Sequence, residues 1–223
     1  MFAFELERVL TESLALRTWE TVAQTVVSLA ITVALGLPIG LAVVTTAPDG
    51  LRPQRAVYAV LSAVVNLGRA VPFIILMTLL IPFTRLLVGS ILSWRAAVVP
   101  LAVGAIPFFA RVAETALRGV LPGKIEAALM AGASRWQVAW GLLVRESMPG
   151  LVGGVTVTAV TLVGYSMITG TIGGGGLGYL AYNYGYSRYM LQVQLAVVIV
   201  AVLIIFIFQL AGDAIARRLD HTR

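Results

Sequence analysis

Few residues in this chain can do chemistry. Lysine occurs once, at Lys124, within Pro122-Gly123-Lys124-Ile125. A phosphate-binding loop would need glycine at 118 and Ser or Thr at 125, so that backbone N–H groups and a hydroxyl could hold phosphate and magnesium. Arg118 and Ile125 stand there instead. The other glycine-rich stretch, Gly173-Gly174-Gly175-Gly176, has no lysine and no hydroxyl directly after it. It reads as a tight, mobile turn, not a nucleotide site. The chain has no cysteine and one histidine, His221, which excludes thiolate chemistry and a metal site built from His and Cys. No residue takes a catalytic or metal-binding role, and no cofactor is expected in this chain.

The remaining candidates are charges in apolar surroundings. Of 223 residues, 59% are hydrophobic and 12% charged, and mean hydropathy is +0.95. A soluble domain carries about 25% charged residues, so the composition is that of an integral membrane protein. An isolated charge at mid-bilayer is costly. Arg69 and Arg111 must therefore face protein interior, water or a partner. Arg111 and Glu114 are spaced i, i+3 and can pair on one helix face. For both arginines a structural pair or snorkelling to the interface is the plainer reading than contact with a transported solute.

A crossing helix needs about 20 apolar residues. The uncharged stretches and their interruptions place five spans, near 21–46, 60–84, 96–118, 149–170 and 190–212. Gly36-Leu37-Pro38 marks a kink in the first. Pro72, close behind Arg69, marks a start or bend in the second; with a bend, residues 58–67 would lie at the interface. Glycines 173–176 close the fourth span, and Tyr179, Tyr182, Tyr184, Tyr186 and Tyr189 after them suit a membrane–water interface. The N-terminal MFAFELERVLTES lacks a basic leader and an uninterrupted apolar core, so it does not read as a signal peptide. The expected fold is thus an all-α membrane protein, one transmembrane domain over 1–223, with its termini on opposite sides.

Orientation follows from the basic residues. Nine (Arg52, Arg55, Arg118, Lys124, Arg135, Arg145, Arg217, Arg218 and Arg223) fall on one side, five (Arg8, Arg17, Arg85, Arg95 and Arg188) on the other. The richer side is cytoplasmic, which places the N-terminus outside and the C-terminus inside. The net charge of +6 is explained by this bias, and no nucleic acid is expected.

The cytoplasmic loop 119–146 is long for a simple connection and holds EAALMAGASRWQVAW, residues 126–140. The spacing predicts a helix over 124–131 with Glu126 in its first turn, where the helix dipole favours an anion. Gly132 ends it. Ser134 and Gln137 then have the spacing of a capping box that starts a second helix. Trp136 and Trp140 share a face of that helix, continued by Leu143. Two readings stand on physics alone: an amphipathic element on the bilayer surface, with Arg135 and Arg145 near anionic lipid, or a compact helical knob that docks on a soluble partner.

Glu126-Ala127-Ala128 with Gly132 resembles the EAA loop of ABC importer permeases. The stretches WETVAQT, GLPIG, NLGRAVPFIILM, IPFTRLLVG, VVPLAVGAIPFFARVAETAL and LVGYSMITGTIGGGGLGYLAYNYGY extend that resemblance, over about 19–213, to methionine-type importer permeases. It departs at 142–145, where the family's I-x-L-P is replaced by Leu142, Leu143, Val144 and Arg145. The resemblance implies a permease subunit of the bacterial cytoplasmic (inner) membrane and a homodimer with the path at the subunit interface. It implies two partners: an ATP-binding subunit that carries ATP and magnesium, and an extracytoplasmic lipoprotein that captures substrate. Glu126, Ala127, Ala128, Gly132, Ser134 and Arg135 would form the docking loop. The path or gate is placed at Tyr165, Ser166, Met167 and Ile168. Small residues of the fourth span, Gly153, Gly154, Ala159 and Gly164, would permit close helix approach within or between chains. Methionine is the expected substrate; another amino acid, an osmolyte or a phosphonate is the alternative. A third reading is a membrane enzyme or a non-ABC channel; the enzyme is opposed by the lack of His and Cys in any span, where Glu114 is the only acid, and transport by this chain without an ATPase would favour the reading.

Overall fold

A computed structural model describes residues 9–219; the N-terminal segment read against a signal peptide lies largely outside them, as do His221 and Arg223. Within the described residues the chain is helical, without strands. A π-helical turn, Val9–Ser13, leads into α1 (Leu14–Thr46). Three shorter helices follow: α2 (Arg55–Ala70), α3 (Phe73–Leu79) and α4 (Ile81–Val88). Then come α5 (Trp94–Arg118), α6 (Pro122–Met130), a π-helical stretch Gln137–Leu143 with one turn Val144–Glu146, α7 (Met148–Thr171), α8 (Gly176–Leu180) with a π-helical stretch Ala181–Tyr186, and α9 (Leu191–Leu219).

Among the described residues, four helices are long and apolar enough to cross a membrane: 11–46, α5, α7 and α9. The expected span at 60–84 is not one helix. Pro72 has no N–H to donate and forces its predecessor out of the helical region. Val71 is accordingly extended, at φ −74° and ψ 122°. The Pro72 carbonyl then accepts from Ile75 and Leu76 and starts α3 afresh. The two pieces are bent by 102°, and only if they count together does the number of candidate spans rise to five. Gly89, at φ 76°, ends α4. The kink marked at Pro38 does not interrupt α1, which continues through it.

The packing of α1 reverses the pattern of a soluble helix. Thr21, Gln24, Thr25, Ser28 and Thr32 recur at helical spacing and are all fully buried, whereas Val26, Val27, Ile31 and Leu35 are exposed. A helix in hydrocarbon gains little by hiding apolar side chains and loses much by exposing polar ones. Several hydroxyls bond back to carbonyls one turn earlier, as Thr21 Oγ1 does to Arg17 O at 3.1 Å. Ser28 Oγ reaches across to Val98 O at 3.4 Å. The helix α9 is covered least, presenting Leu195, Ile199, Val202, Phe206 and Leu210 outward.

Contacts group the chain into two compact units. One comprises Met1–Ile31, Pro72–Gly104 and Ala159–Gln209; the other comprises Thr32–Val71, Ala105–Thr158 and Leu210–Arg223. The first is centred on Val163, Leu177, Leu180, Met190, Val193 and Val197. The second has one cluster of Leu41, Leu117, Val120, Ala139 and Leu143 and another of Phe109, Ala113 and Leu151.

In the second unit α1 and α5 meet at backbone distance. A Cβ on Gly40 would lie 2.7 Å from Ala110 O and 3.0 Å from Ala113 Cβ, so only glycine fits this crossing. Gly40→Leu is expected to force the helices apart at a cost of about 1–3 kcal/mol. Unfolding by SDS in mixed micelles measures this, and an unchanged midpoint would remove Gly40 from the packing argument.

Candidate functional site

The EAA stretch folds as two capped helical pieces around a glycine corner. The first, α6, begins earlier than the expected 124–131. Pro122 occupies its first position, where the missing N–H costs nothing and φ is already helical. Glu126 therefore lies beyond the first turn, and no acid stands there. The charge–dipole role assigned to Glu126 does not hold.

The corner itself follows the sequence. Gly132 has φ +87°, a left-handed conformation that side chains disfavour. Gly132 N–H donates to Leu129 O at 3.0 Å and Ala133 N–H donates to Ala128 O at 3.0 Å. These are the two bonds of a Schellman motif, which satisfies carbonyls left free at a helix end. The second piece opens with a reciprocal capping box: Ser134 N–H donates to Gln137 Oε1 at 2.8 Å, and Gln137 N–H donates to Ser134 Oγ at 3.3 Å. Beyond it the chain winds as a π-helix over Gln137–Leu143 rather than an α-helix. The rings of Trp136 and Trp140 lie 5.6 Å apart.

Each face of the loop has a distinct role. Val138, Ala139 and Leu143 are buried, while Glu126, Ala127, Gly132, Ser134 and Arg135 are exposed and Ala128 is half-buried. Lys124 is ion-paired with Glu146, which clasps the start of the loop to its end. Arg118 joins the last turn of α5 to Glu114 at 3.0 Å and to Asp49 at 3.4 Å. Arg111 donates to the other oxygen of Glu114 at 2.6 Å. The expected Arg111–Glu114 pair is thus one part of a chain of four charges. A cleft of 390 Å³ is lined by Asp49, Arg118, Glu126, Arg135 and apolar residues between them. Arg69 is exposed and forms no ion pair among the described residues.

The second candidate region lies in α7. Ser166 is buried, with Tyr165, Met167 and Ile168 half-buried. The Tyr165 ring stacks on Phe73 at 4.2 Å, nearly parallel. Ser166 Oγ bonds to Val163 O at 2.7 Å. The neighbouring helix α8 passes very close: a Cβ on Gly178 would fall against Met167 O and 2.7 Å from Met167 Cα.

The glycine run is tied down at several points by residues that sequence reasoning left without a role. Gly174 N–H donates to Thr169 O at 2.9 Å. Gly176 N–H donates to Glu20 Oε2 at 2.7 Å, and Leu177 N–H to Thr21 Oγ1 at 2.8 Å. Gly175 and Gly176 both have φ +69°, and a Cβ on Gly176 would lie 2.7 Å from Thr21 Oγ1. Arg17 steadies Glu20 at 2.8 Å and sits over the Tyr179 ring at 4.5 Å. The amide of Gln24 is buried there with no hydrogen-bond partner among the described residues. In the sequence Glu20 was one of several acids before the first span. Its place as the last charge before the uncharged stretch 21–48 was the available signal.

Comparison with known proteins agrees with this geometry. The probable D-methionine transport system permease protein MetI of Vibrio cholerae is 43% identical over 204 residues, covering 92% of this chain and 91% of that protein. The D-methionine transport system permease protein MetI of Escherichia coli K12 is 45% identical over 152 residues, 68% of this chain and 70% of that protein. A solved structure of the MetNI methionine ABC transporter in inward-facing conformations superposes with a TM-score of 0.92 at 42% identity, over 94% of this chain and 98% of that one. An amino acid ABC transporter at 19% identity shares the fold, with a TM-score of 0.71. The family model of the binding-protein-dependent transport system inner membrane component matches residues 35–222, and with relatives this similar along the chain, the protein belongs to that family of membrane transport components.

Proposed function

We propose that the chain is the permease subunit of an ATP-driven importer of methionine and related amino acids. Two copies form the path across the bacterial inner membrane, each with its N-terminus outside and C-terminus inside. The loop 119–146 docks on an ATP-binding subunit, which supplies ATP, magnesium and hydrolysis. An extracytoplasmic lipoprotein delivers the substrate. The methionine assignment is supported by the similarity to the MetI proteins and the MetNI transporter.

The observation that carries the mechanism is the loop's construction, with an outward face free for a partner and an inward face fixed to the helices. Three residues separate α5 from α6, and only Ser147 separates Val144–Glu146 from α7. Ser147 is buried and bonds to Leu143 O at 2.7 Å. The Lys124–Glu146 clasp removes further slack by tying the loop's start to its end. A partner that draws two such loops together would therefore move α5 and α7 with them instead of bending the loop. This is how closure of an ATPase pair can turn a path from one side of the membrane to the other.

Met167 and Ile168, beside the close α7–α8 crossing, are apolar and suited to block a narrow path without binding solute tightly. Glu20 and Thr21 hold the turn that joins those helices, so they position the gate. A Cβ on Gly153 or Gly164 of α7 would meet nothing within 4 Å beyond its own stretch of helix, whereas one on Gly154 would lie 2.6 Å from Val112 Cγ1. The open glycines leave room for a second copy, and Gly154 serves intrachain packing.

Two outcomes test these assignments. Glu126→Lys reverses an exposed charge without touching the core. Co-purification with the ATP-binding subunit is expected to fall at least tenfold, which is about 1.4 kcal/mol of binding, and methionine uptake with it. Normal co-purification and uptake would reject the docking face. For the gate, the chain has no native cysteine, so a cysteine at Met167 reports access cleanly. Removing the Glu20 charge-assisted bond removes about 1.5–3 kcal/mol. Glu20→Gln should thus speed labelling of that cysteine by a membrane-impermeant thiol reagent more than tenfold, with Glu20→Asp intermediate. Equal labelling rates would separate Glu20 from the gate.

A further inference from the structure

The Trp136–Trp140 side of the loop differs in its chemistry from the side that bears Glu126, and Arg135 borders both. A groove of 470 Å³ runs along the last turns of α1. Its lining includes apolar residues, among them Leu41, Ala42, Ala139 and Trp140, three neutral polar ones, Thr45, Thr46 and Gln54, and two cations, Arg52 and Arg135. No acid lines it, in contrast to the neighbouring cleft, where Asp49 and Glu126 stand among the basic residues. Arg52 and Arg135 are both exposed, and neither guanidinium is bonded to an acceptor among the described residues. The Trp140 indole N–H is buried without an acceptor. Trp136 beside it is 71% exposed, unusually open for so large an apolar ring.

The groove also straddles the end of a candidate span. The apolar segment runs to Thr46, and Asp49 and Arg52 are the first charged residues after it. At that depth an apolar floor meets acyl chain, indole rings meet the headgroup region, and guanidinium groups meet phosphate. A mixed-charge cleft suits a protein partner. A cation-only amphipathic groove at the end of a span suits an anionic amphiphile.

We propose that this groove is a binding site for an anionic glycerophospholipid. Arg52 and Arg135 hold its phosphate, the exposed Trp136 ring lies at headgroup depth, and the first methylenes lie along Leu41 and Ala42. The loop then carries two functions on two faces: Glu126 and the adjacent alanines for the protein partner, and the tryptophan side for lipid. A bound lipid fastens the loop to the end of α1 and makes coupling sensitive to membrane composition.

The test uses the assembled transporter in nanodiscs. Tryptophan fluorescence is read with brominated phosphatidylglycerol and, separately, with brominated phosphatidylcholine. The proposal predicts stronger quenching by the anionic lipid. It further predicts that Arg52→Gln weakens phosphatidylglycerol retention about fivefold, as the loss of one headgroup cation implies, while Arg52→Lys preserves it. Native mass spectrometry of the same samples counts the lipid retained. Equal quenching by the two lipids, or retention unchanged in Arg52→Gln, would overturn the site, as would a groove shielded from both lipids by the ATP-binding subunit or a second copy. The outcome is independent of the docking reading: a Glu126→Lys variant that still bound its ATPase would refute docking and leave the lipid result standing.

Discussion

The controlling constraint is that hydrocarbon offers no hydrogen bonds. A polar side chain carried into the membrane must turn toward protein and away from lipid, even where, as for Gln24, Thr25 and Thr32, no hydrogen-bond partner stands beside it among the described residues. The helix α1 shows what this requires. Its threonines, serine and glutamine turn inward, its valines and leucines outward, and the inward face is used to hold other segments. Glu20 and Thr21 receive the backbone N–H groups of Gly176 and Leu177. Those donors open a new helix after a run of left-handed glycines, and without acceptors they would be stranded. The same bonds fix the turn between α7 and α8 against the N-terminal part of α1. A requirement of the solvent thus becomes a device for positioning the proposed gate.

A similar economy governs the loop. A helix end leaves carbonyls free and a helix start leaves N–H groups free. Here the Schellman motif around Gly132 satisfies the first, and the Ser134–Gln137 box satisfies the second. Because both sets of bonds are local, the corner keeps its angle with little help from tertiary packing. The Lys124–Glu146 ion pair then ties the start of this preformed corner to its end, and short connections join it to α5 and α7. Under the proposed function, stiffness is the useful property, since a compliant loop would absorb the ATPase stroke.

What could be read in the sequence was what is local. The capping box, the glycine corner and the Arg111–Glu114 pair each depend on residues three or four apart, and each is present. The ends of the continuous apolar helices follow from where charges begin. Three features were harder. Pro72 announced a break but not its 102° angle, which depends on what the following helix packs against. The helix expected over 124–131 begins instead at Pro122, because a residue without an N–H suits a first helical position as well as a helix break. The bond from Gly176 to Glu20 joins residues 156 apart, and no periodicity records such a pairing. The π-helical winding of Gln137–Leu143 had no sequence signal.

The account rests on the loop and its flanking helices moving as one body. Pulsed electron–electron spectroscopy on the assembled transporter tests this directly. Spin labels are placed at Met130, on the loop, and at Thr115, on α5, both exposed. Between nucleotide-free and ATP-bound states, the Met130-to-Met130 distance across the two copies should shorten, while the Met130-to-Thr115 distance within one chain stays constant. A change in the intrachain distance, with the helices left in place, would contradict the account.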